Sequence, residues 1–238
     1  MRAFVTGGTA GIGAACVARL TADGHTVAFT GRNAARGVEV ASRTGATFLN
    51  ADITDRAAAD QALARAVETL GGLDAVVANA GILSRTPLAS ISGDEMWTLL
   101  ETNLTAQFRT SRAAWPHLVA AGGGSIALIG SDTSIRGSHR VPAYSVVKAG
   151  TVMLSDMLAA DGAAVRIRAN AVCPGNTLPG MAGDDPATWP ITADGLQVTA
   201  AEIASCVCWL LSAEAVHVTG ATIRIDGGIG AAFIPPPA

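Results

Sequence analysis

Tyr144 is the only tyrosine in the 238-residue chain and Lys148 its only lysine; every other side chain among the 16 Lys+Arg is arginine. The two stand four positions apart, which on a helix puts both side chains on one face with Cβ atoms about 5–6 Å from each other. A phenol titrates near pH 10, so serving as a base near neutrality asks for a shift of roughly 3 units, or about 4 kcal/mol. One positive charge about 4 Å away, at an effective dielectric of about 20, supplies on the order of 4 kcal/mol. The pair is therefore expected to do acid–base chemistry; the alternative, an exposed helix pair, is worth only a few tenths of a kcal/mol.

Other groups fall into place around the pair. Ser131 lies 13 residues before Tyr144 in Gly130-Ser131-Asp132-Thr133-Ser134, just past an apolar strand, where ligands of open α/β sheets bind. Any hydroxyl of that cluster could be a turn residue, and spacing alone singles out Ser131. Near the N-terminus, Thr6-Gly7-Gly8-Thr9-Ala10-Gly11-Ile12-Gly13 leads from a first strand into a helix. A glycine turn in that position lets backbone N–H groups and a helix N-terminus approach a dinucleotide pyrophosphate.

The second strand ends in Gly31-Arg32-Asn33, without an acid. An acid there would accept from a ribose 2′-hydroxyl, whereas arginine suits a 2′-phosphate. A guanidinium fork with no nearby carboxylate favours NADP(H); the alternative is a solvated loop arginine. Thr9 and Ala10 occupy the loop positions where a second basic residue would stand, so NAD(H) stays open. The third strand runs into Asn50-Ala51-Asp52-Ile53, where Asp52 could accept from an adenine amino group or cap the following helix. Ala78-Asn79-Ala80-Gly81 has the small residues that close backbone approach to a ligand requires. Asn103 falls inside a helical stretch, where an asparagine is locally unfavourable and by that local rule solvated.

Positioning such groups takes alternating elements. Apolar runs at 3–6, 26–30, 47–50, 75–78, 125–129, 166–171 and 222–225 read as strands, and 12–22, 34–42, 56–70, 93–119, 143–160 and 200–211 as helices. The alternation implies a parallel sheet with helices on both faces and strands buried on both sides. Ser92-Gly93-Asp94-Glu95 is a capping-box pattern, so the fourth helix is expected to start there. Nothing in the pattern splits residues 1–238 into more than one domain.

Composition narrows the function classes. A net charge of −3 with sequence pI near 5.8 leaves no footprint for nucleic acid or an anionic membrane. Half the residues are hydrophobic, yet no run reaches the roughly 18–20 needed to span a bilayer. Cys16, Cys173, Cys206 and Cys208 have no metal-ligand or CxxC spacing, so no metal is expected and reduced buried thiols are, which suits a cytoplasmic protein. Met1 to Thr6 runs straight into the glycine turn, leaving no room for a signal or transit peptide.

From Thr6 to Gly228 the chain resembles the short-chain dehydrogenase/reductase family. The resemblance is carried by Thr6-Gly7-x-x-x-Gly11-x-Gly13, Asn79-Ala80-Gly81, Asn103, Ser131, Tyr144-x-x-x-Lys148, Pro174-Gly175 and Asp226-Gly227-Gly228. It implies a Rossmann-type doubly wound sheet of seven parallel strands in order 3-2-1-4-5-6-7, a homotetramer or dimer packed through the fourth and fifth helices, and hydride transfer between nicotinamide and a ketone/secondary alcohol pair. By resemblance Tyr144 donates or accepts the proton, and Ser131 hydrogen-bonds the substrate oxygen. Lys148 holds the nicotinamide ribose and lowers the Tyr144 pKa, and Asn103 orders a water in the proton relay, which reverses the local reading of that asparagine. Asp52 moves to adenine. The cofactor candidates are Gly7, Thr9, Gly11, Ile12, Gly13, Arg32, Asp52, Ile53, Asn79, Ala80, Gly81, Pro174, Gly175 and Thr177, with Tyr144 and Lys148.

The chain departs from the family pattern after Pro174-Gly175, where a threonine four residues on commonly touches the nicotinamide carboxamide. Here Pro179 stands there and Thr177 two positions earlier. Residues 176–199, with Met181, Asp184, Asp185, Pro186, Trp189 and Pro190, read as a substrate lid because the stretch is long, irregular and rich in bulky apolar side chains. Arg136-Gly137-Ser138-His139-Arg140 reads as a solvated loop, and the tail 229–238 either meets a neighbouring subunit or frays. A second class stays open: a regulator that binds nicotinamide cofactor on the same fold and needs no acid–base group.

Overall fold

Strands form where apolar runs are short enough to be buried on both faces, and the computed structural model, which describes residues 1–178 and 197–230, places seven of them in one sheet. These are β1 (Arg2–Val5), β2 (Thr26–Gly31), β3 (Thr47–Asn50), β4 (Ala75–Ala78), β5 (Gly124–Ile129), β6 (Ile167–Pro174) and, after two short strands, β9 (Thr222–Ile225). The sheet order is 3-2-1-4-5-6-9, every neighbour parallel. The two short strands, β7 (Thr177–Leu178) and β8 (Val198–Thr199), pair with each other. The expected order is met, with the last strand ninth in the chain.

Alternation along each strand sorts side chains into two cores. Ala3 and Val5 of β1 face one layer, with Cys16, Val17 and Leu20 of α1 (Gly11–Ala22) and Ile203 and Val207 of α7 (Ala200–Leu211). Phe4 faces the other, with Leu63 of α3 (Arg56–Leu70), Leu118 of α5 (Ala106–Ala120) and Ala159 of α6 (Pro142–Gly162). This is the doubly wound arrangement that parallel strands require.

Most helix starts carry a side-chain cap, each worth about 1 kcal/mol. Asn33 accepts from the Arg36 N–H at α2 (Ala34–Thr44), Asp55 from Ala58 at α3, Ser92 from Glu95 at α4 (Gly93–Leu100), and Thr199 from Glu202 at α7. The cap of α3 is thus Asp55, and the capping alternative weighed for Asp52 falls away. The single helix expected over 93–119 is also corrected. A π-helical turn, Glu101–Thr105, separates α4 from α5 and contains Asn103; such one-turn widenings recur at functional sites.

β6 extends beyond the expected 166–171 because its last four residues pair in register with β9, Pro174 opposite Ile225. The bulky and acidic residues of the expected lid, from Pro179 to Pro190, and the tail from Phe233 onward lie outside the described residues.

Candidate active site

At the carboxyl ends of the strands lies a cleft of about 1230 Å³, lined by every cofactor candidate except Gly13, and by Ser131, Tyr144 and Lys148. Gly13 lies underneath: a Cβ there would strike the Gly7 carbonyl, so only glycine lets helix α1 close on the turn. Gly7 and Gly11 hold φ of 69° and 51°, the left-handed region that side-chained residues avoid. The turn is braced from β4. The Thr6 hydroxyl accepts from the N–H groups of Asn79 and Ala80 at 3.0 and 3.1 Å, and the Asn79 amide donates to the Thr6 and Gly7 carbonyls at 2.9 and 3.1 Å.

The α1 N-terminus has no side-chain cap, unlike α2, α3, α4 and α7, and the residues around it line the cleft. Its first-turn N–H groups and the positive end of its dipole fit a pyrophosphate. Beyond it, a Cβ on Gly31 would collide with Thr9, so the end of β2 lies flat against the loop. Arg32 follows, and here an expectation is corrected. Its guanidinium has a carboxylate close by, Asp52 Oδ2 at 3.9 Å, because β2 and β3 run parallel with Gly31 beside Asn50. Asp52 Oδ1 accepts from the Thr54 N–H and hydroxyl at 2.9 and 2.8 Å. Burial alone would raise the Asp52 carboxyl, but those two hydrogen bonds and Arg32 hold it below the usual carboxylate range.

At the other end Lys148 is 1% exposed. Its ammonium donates to the Ile129 carbonyl at 2.6 Å and stands 5.8 Å from the Tyr144 ring centroid. Burial lowers the Lys148 pKa to about 8. Burial also pushes the half-buried Tyr144 phenol well above 10, with the charges of Asp132 and Cys173 adding to the rise and a hydrogen bond with Ser131 opposing it. The lysine therefore does not bring the phenol down to neutrality in this geometry. A charge about 4 Å away at a dielectric of about 20 would supply the shift, but the Lys148 ammonium is itself desolvated and is engaged by the Ile129 carbonyl.

Asn103 is fully buried, not solvated. Its amide donates to the Ile82 and Leu99 carbonyls at 3.0 and 3.1 Å, and its oxygen accepts from the Ile82 N–H at 3.0 Å. A Cβ on Gly81 would stand 2.5 Å from Asn103 Oδ1 and 3.6 Å from Lys148 Nζ, so glycine at 81 is what lets the three elements meet. Thr177 lines the cleft with its hydroxyl donating to the Gly175 carbonyl at 2.9 Å.

A family model described as short chain dehydrogenase matches residues 1–188. The chain belongs to the short-chain dehydrogenase family. It is accordingly an NAD(P)-dependent oxidoreductase by membership. The 3-oxoacyl-[acyl-carrier-protein] reductase MabA of Mycobacterium bovis is 32% identical to this short-chain dehydrogenase over 95% of its chain and 92% of the relative. An acetoacetyl-CoA reductase of Rhizobium meliloti is 33% identical, covering 95% and 97%. A short chain dehydrogenase from Burkholderia cenocepacia, solved in complex with NADP, superposes with a TM-score of 0.89 at 33% identity over 97% of this chain and 98% of that one.

Two sets of cleft residues escaped the sequence reading of this dehydrogenase. Arg36 and Arg43 of α2 line the cleft beyond Arg32; their spacing of seven residues, two helical turns, puts both on one face and could have signalled it. Asp132 lines it next to Ser131, where its adjacency to the serine was the available signal. The helices of the described residues include none long and apolar enough to cross a membrane, and all four cysteines are free.

Proposed function

We propose that this dehydrogenase moves hydride between nicotinamide and a ketone/secondary alcohol pair, prefers NADP(H), and uses Tyr144 as its acid/base. The observation that carries this reading is the convergence of a buried lysine, a phenol and a serine at one end of a cleft whose other end is a glycine turn with an uncapped helix. The nicotinamide, when bound, supplies or accepts the hydride. Ser131 hydrogen-bonds the reacting oxygen and Tyr144 passes it a proton; with its pKa raised, the phenol enters protonated, the state that carbonyl reduction needs. Lys148 offers a compact three-donor ammonium to a ribose hydroxyl, and Asn103, locked against Ile82, orders the water of the relay that restores the proton. Asp52 and Ile53 serve the adenine, and Thr177 takes the place of the carboxamide contact that Pro179 lacks.

The NADP(H) preference is supported by Arg32 at the end of β2 and by Arg36 and Arg43 on the same cleft wall, with Asp52 as the opposing charge. Trp97, Phe108 and Val119 on α4 and α5, and Val146, Met153 and Met157 on α6, are exposed; they support a homo-oligomer packed through those helices. The test of the function is a panel of ketones and secondary alcohols with both cofactors, followed by the change in nicotinamide absorbance. Because two relatives are named for 3-oxoacyl substrates, acetoacetyl-CoA leads the panel. Turnover with NADPH above NADH is the expected result; clear cofactor binding with no turnover across the panel would favour a regulator on this fold.

A further inference from the structure

Asp132 has no part in the proposed hydride transfer, yet it lines the cleft directly beside Ser131. Its Oδ1 accepts the Ser131 hydroxyl at 2.9 Å and the Thr133 N–H at 2.8 Å. The Ser131 oxygen in turn accepts from the Thr133 N–H at 3.3 Å and the Thr133 hydroxyl at 3.0 Å. A hydroxyl has one proton to donate and two lone pairs, and Asp132, Thr133 and the Tyr144 phenol all draw on that of Ser131. Its single proton is committed to a carboxylate, a stronger acceptor than a neutral ketone oxygen.

We propose that Asp132 is a positioning residue that governs Ser131: as a carboxylate it holds the serine proton away from the substrate oxygen, and as a carboxylic acid it leaves that proton free to meet it. The inference rests on the proposed role of Ser131 as the donor to the reacting oxygen. In a site without Asp132 the serine would donate to substrate at any pH; here its donation is conditional.

The surroundings make protonation of Asp132 accessible. Burial raises its carboxyl above the usual range, hydrogen bonds from Ser131 and Thr133 oppose the rise, and the charge of Asp226 adds to it. Asp226 faces it from the end of β9, and Cys173 of β6 and Tyr144 of α6 both feel its charge. Lys148 is turned to the Ile129 carbonyl, and Arg136, from the same loop, donates to the Ile229 carbonyl at 3.1 Å.

Reduction should then slow about ten-fold as pH rises through the Asp132 midpoint, the scale of one hydrogen bond to a charged acceptor. This step is separate from that of Lys148 near pH 8. The experiment measures kcat against pH for acetoacetyl-CoA with NADPH, in the parent, Asp132→Asn and Asp132→Glu. The expected result is a step that disappears in Asp132→Asn, whose side chain does not titrate, and returns in Asp132→Glu. A step other than that of Lys148 that survives in Asp132→Asn, or a parent with none besides that of Lys148, overturns the proposal. The Asp132 carboxyl carbon is also titrated by NMR in the parent and in Ser131→Ala. Losing the serine donor should raise the midpoint, and an unchanged midpoint overturns the link whatever the variants do. No turnover by the parent would count instead against the hydride-transfer reading, and the carboxyl titration would still decide the Asp132–Ser131 link.

Discussion

At the end of the cleft that holds Ser131, Tyr144 and Lys148, Lys148 is 1% and Ser131 8% exposed, whereas at the end that holds Arg32 and Asp52 those two side chains are 67% and 40% exposed and meet at 3.9 Å. The contrast is one of solvent. In the dry end Lys148 is fixed by a short contact on Ile129 at 2.6 Å, and burial moves the pKa values of Lys148 and Tyr144 far from their ordinary places. In the wet end charge is screened, and an ion pair of this exposure is worth no more than about 1 kcal/mol. Substitutions in the first region should therefore act strongly on turnover and on the fold, and those in the second weakly, on cofactor choice.

The largest effect is expected from Tyr144→Phe, which removes one oxygen from the dry end. Turnover should fall by about 10²–10⁴-fold, the usual worth of general acid–base help, while cofactor affinity measured by fluorescence titration stays close to that of the parent. Turnover equal to the parent's would take the phenol out of the mechanism.

Next comes the charge buried at Lys148. Its pKa of about 8 lies below the ordinary 10.5, so between those limits the unfolded chain binds more protons than the folded one and stability rises with pH. The cost of burying the ammonium, roughly 3 kcal/mol from the size of the shift, is fully present below pH 8 and relieved above it. Tyr144 works the other way only above its ordinary 10.0, which leaves the window from 8 to 10. Urea unfolding at about pH 7 and about pH 9.5 should show the parent gaining stability relative to Lys148→Met. Parallel curves for the two proteins would mean that the ammonium is hydrated.

The two regions also differ in how far they could be read in advance. The elements at 47–50, 56–70, 75–78, 200–211 and 222–225 are found where apolar periodicity put them, because burial on a sheet or a helix face is written locally. Type and spacing singled out Ser131, Tyr144 and Lys148, and all three line one cleft. The partners of Asn103 were not, since a π turn and the Ile82 backbone 21 residues away decide its burial, and no local rule reaches that far. The Arg32–Asp52 closeness follows from the register of β2 with β3, which neither strand end shows by itself.

Gly81→Ala sits between the two regions in expected size. The added Cβ would stand 2.5 Å from Asn103 Oδ1, and neither that oxygen, held by the Ile82 N–H, nor the π turn can give way freely. Overpacking of this kind costs about 1–3 kcal/mol, which urea unfolding would register together with a fall in turnover. Unchanged stability would show that the meeting point of Asn103, Gly81 and Lys148 is looser than the dry end is taken to be.

The smallest effect is expected from Arg32→Asp at the wet end. The substitution removes a guanidinium that can fork a 2′-phosphate and places a second carboxylate beside Asp52, so NADPH should bind about ten-fold more weakly while NADH changes little. Since the Arg32 side chain is 67% exposed, raising salt, which shortens the Debye length to about 3 Å at 1 M, should shrink the difference. Tyr144→Phe should show no such salt dependence, because it removes no charged group. If Arg32→Asp left the ratio of the two affinities unaltered at low salt, Arg36 and Arg43 would carry the phosphate instead. The contrast between the ends would then stand with its charge moved from the β2 end to α2.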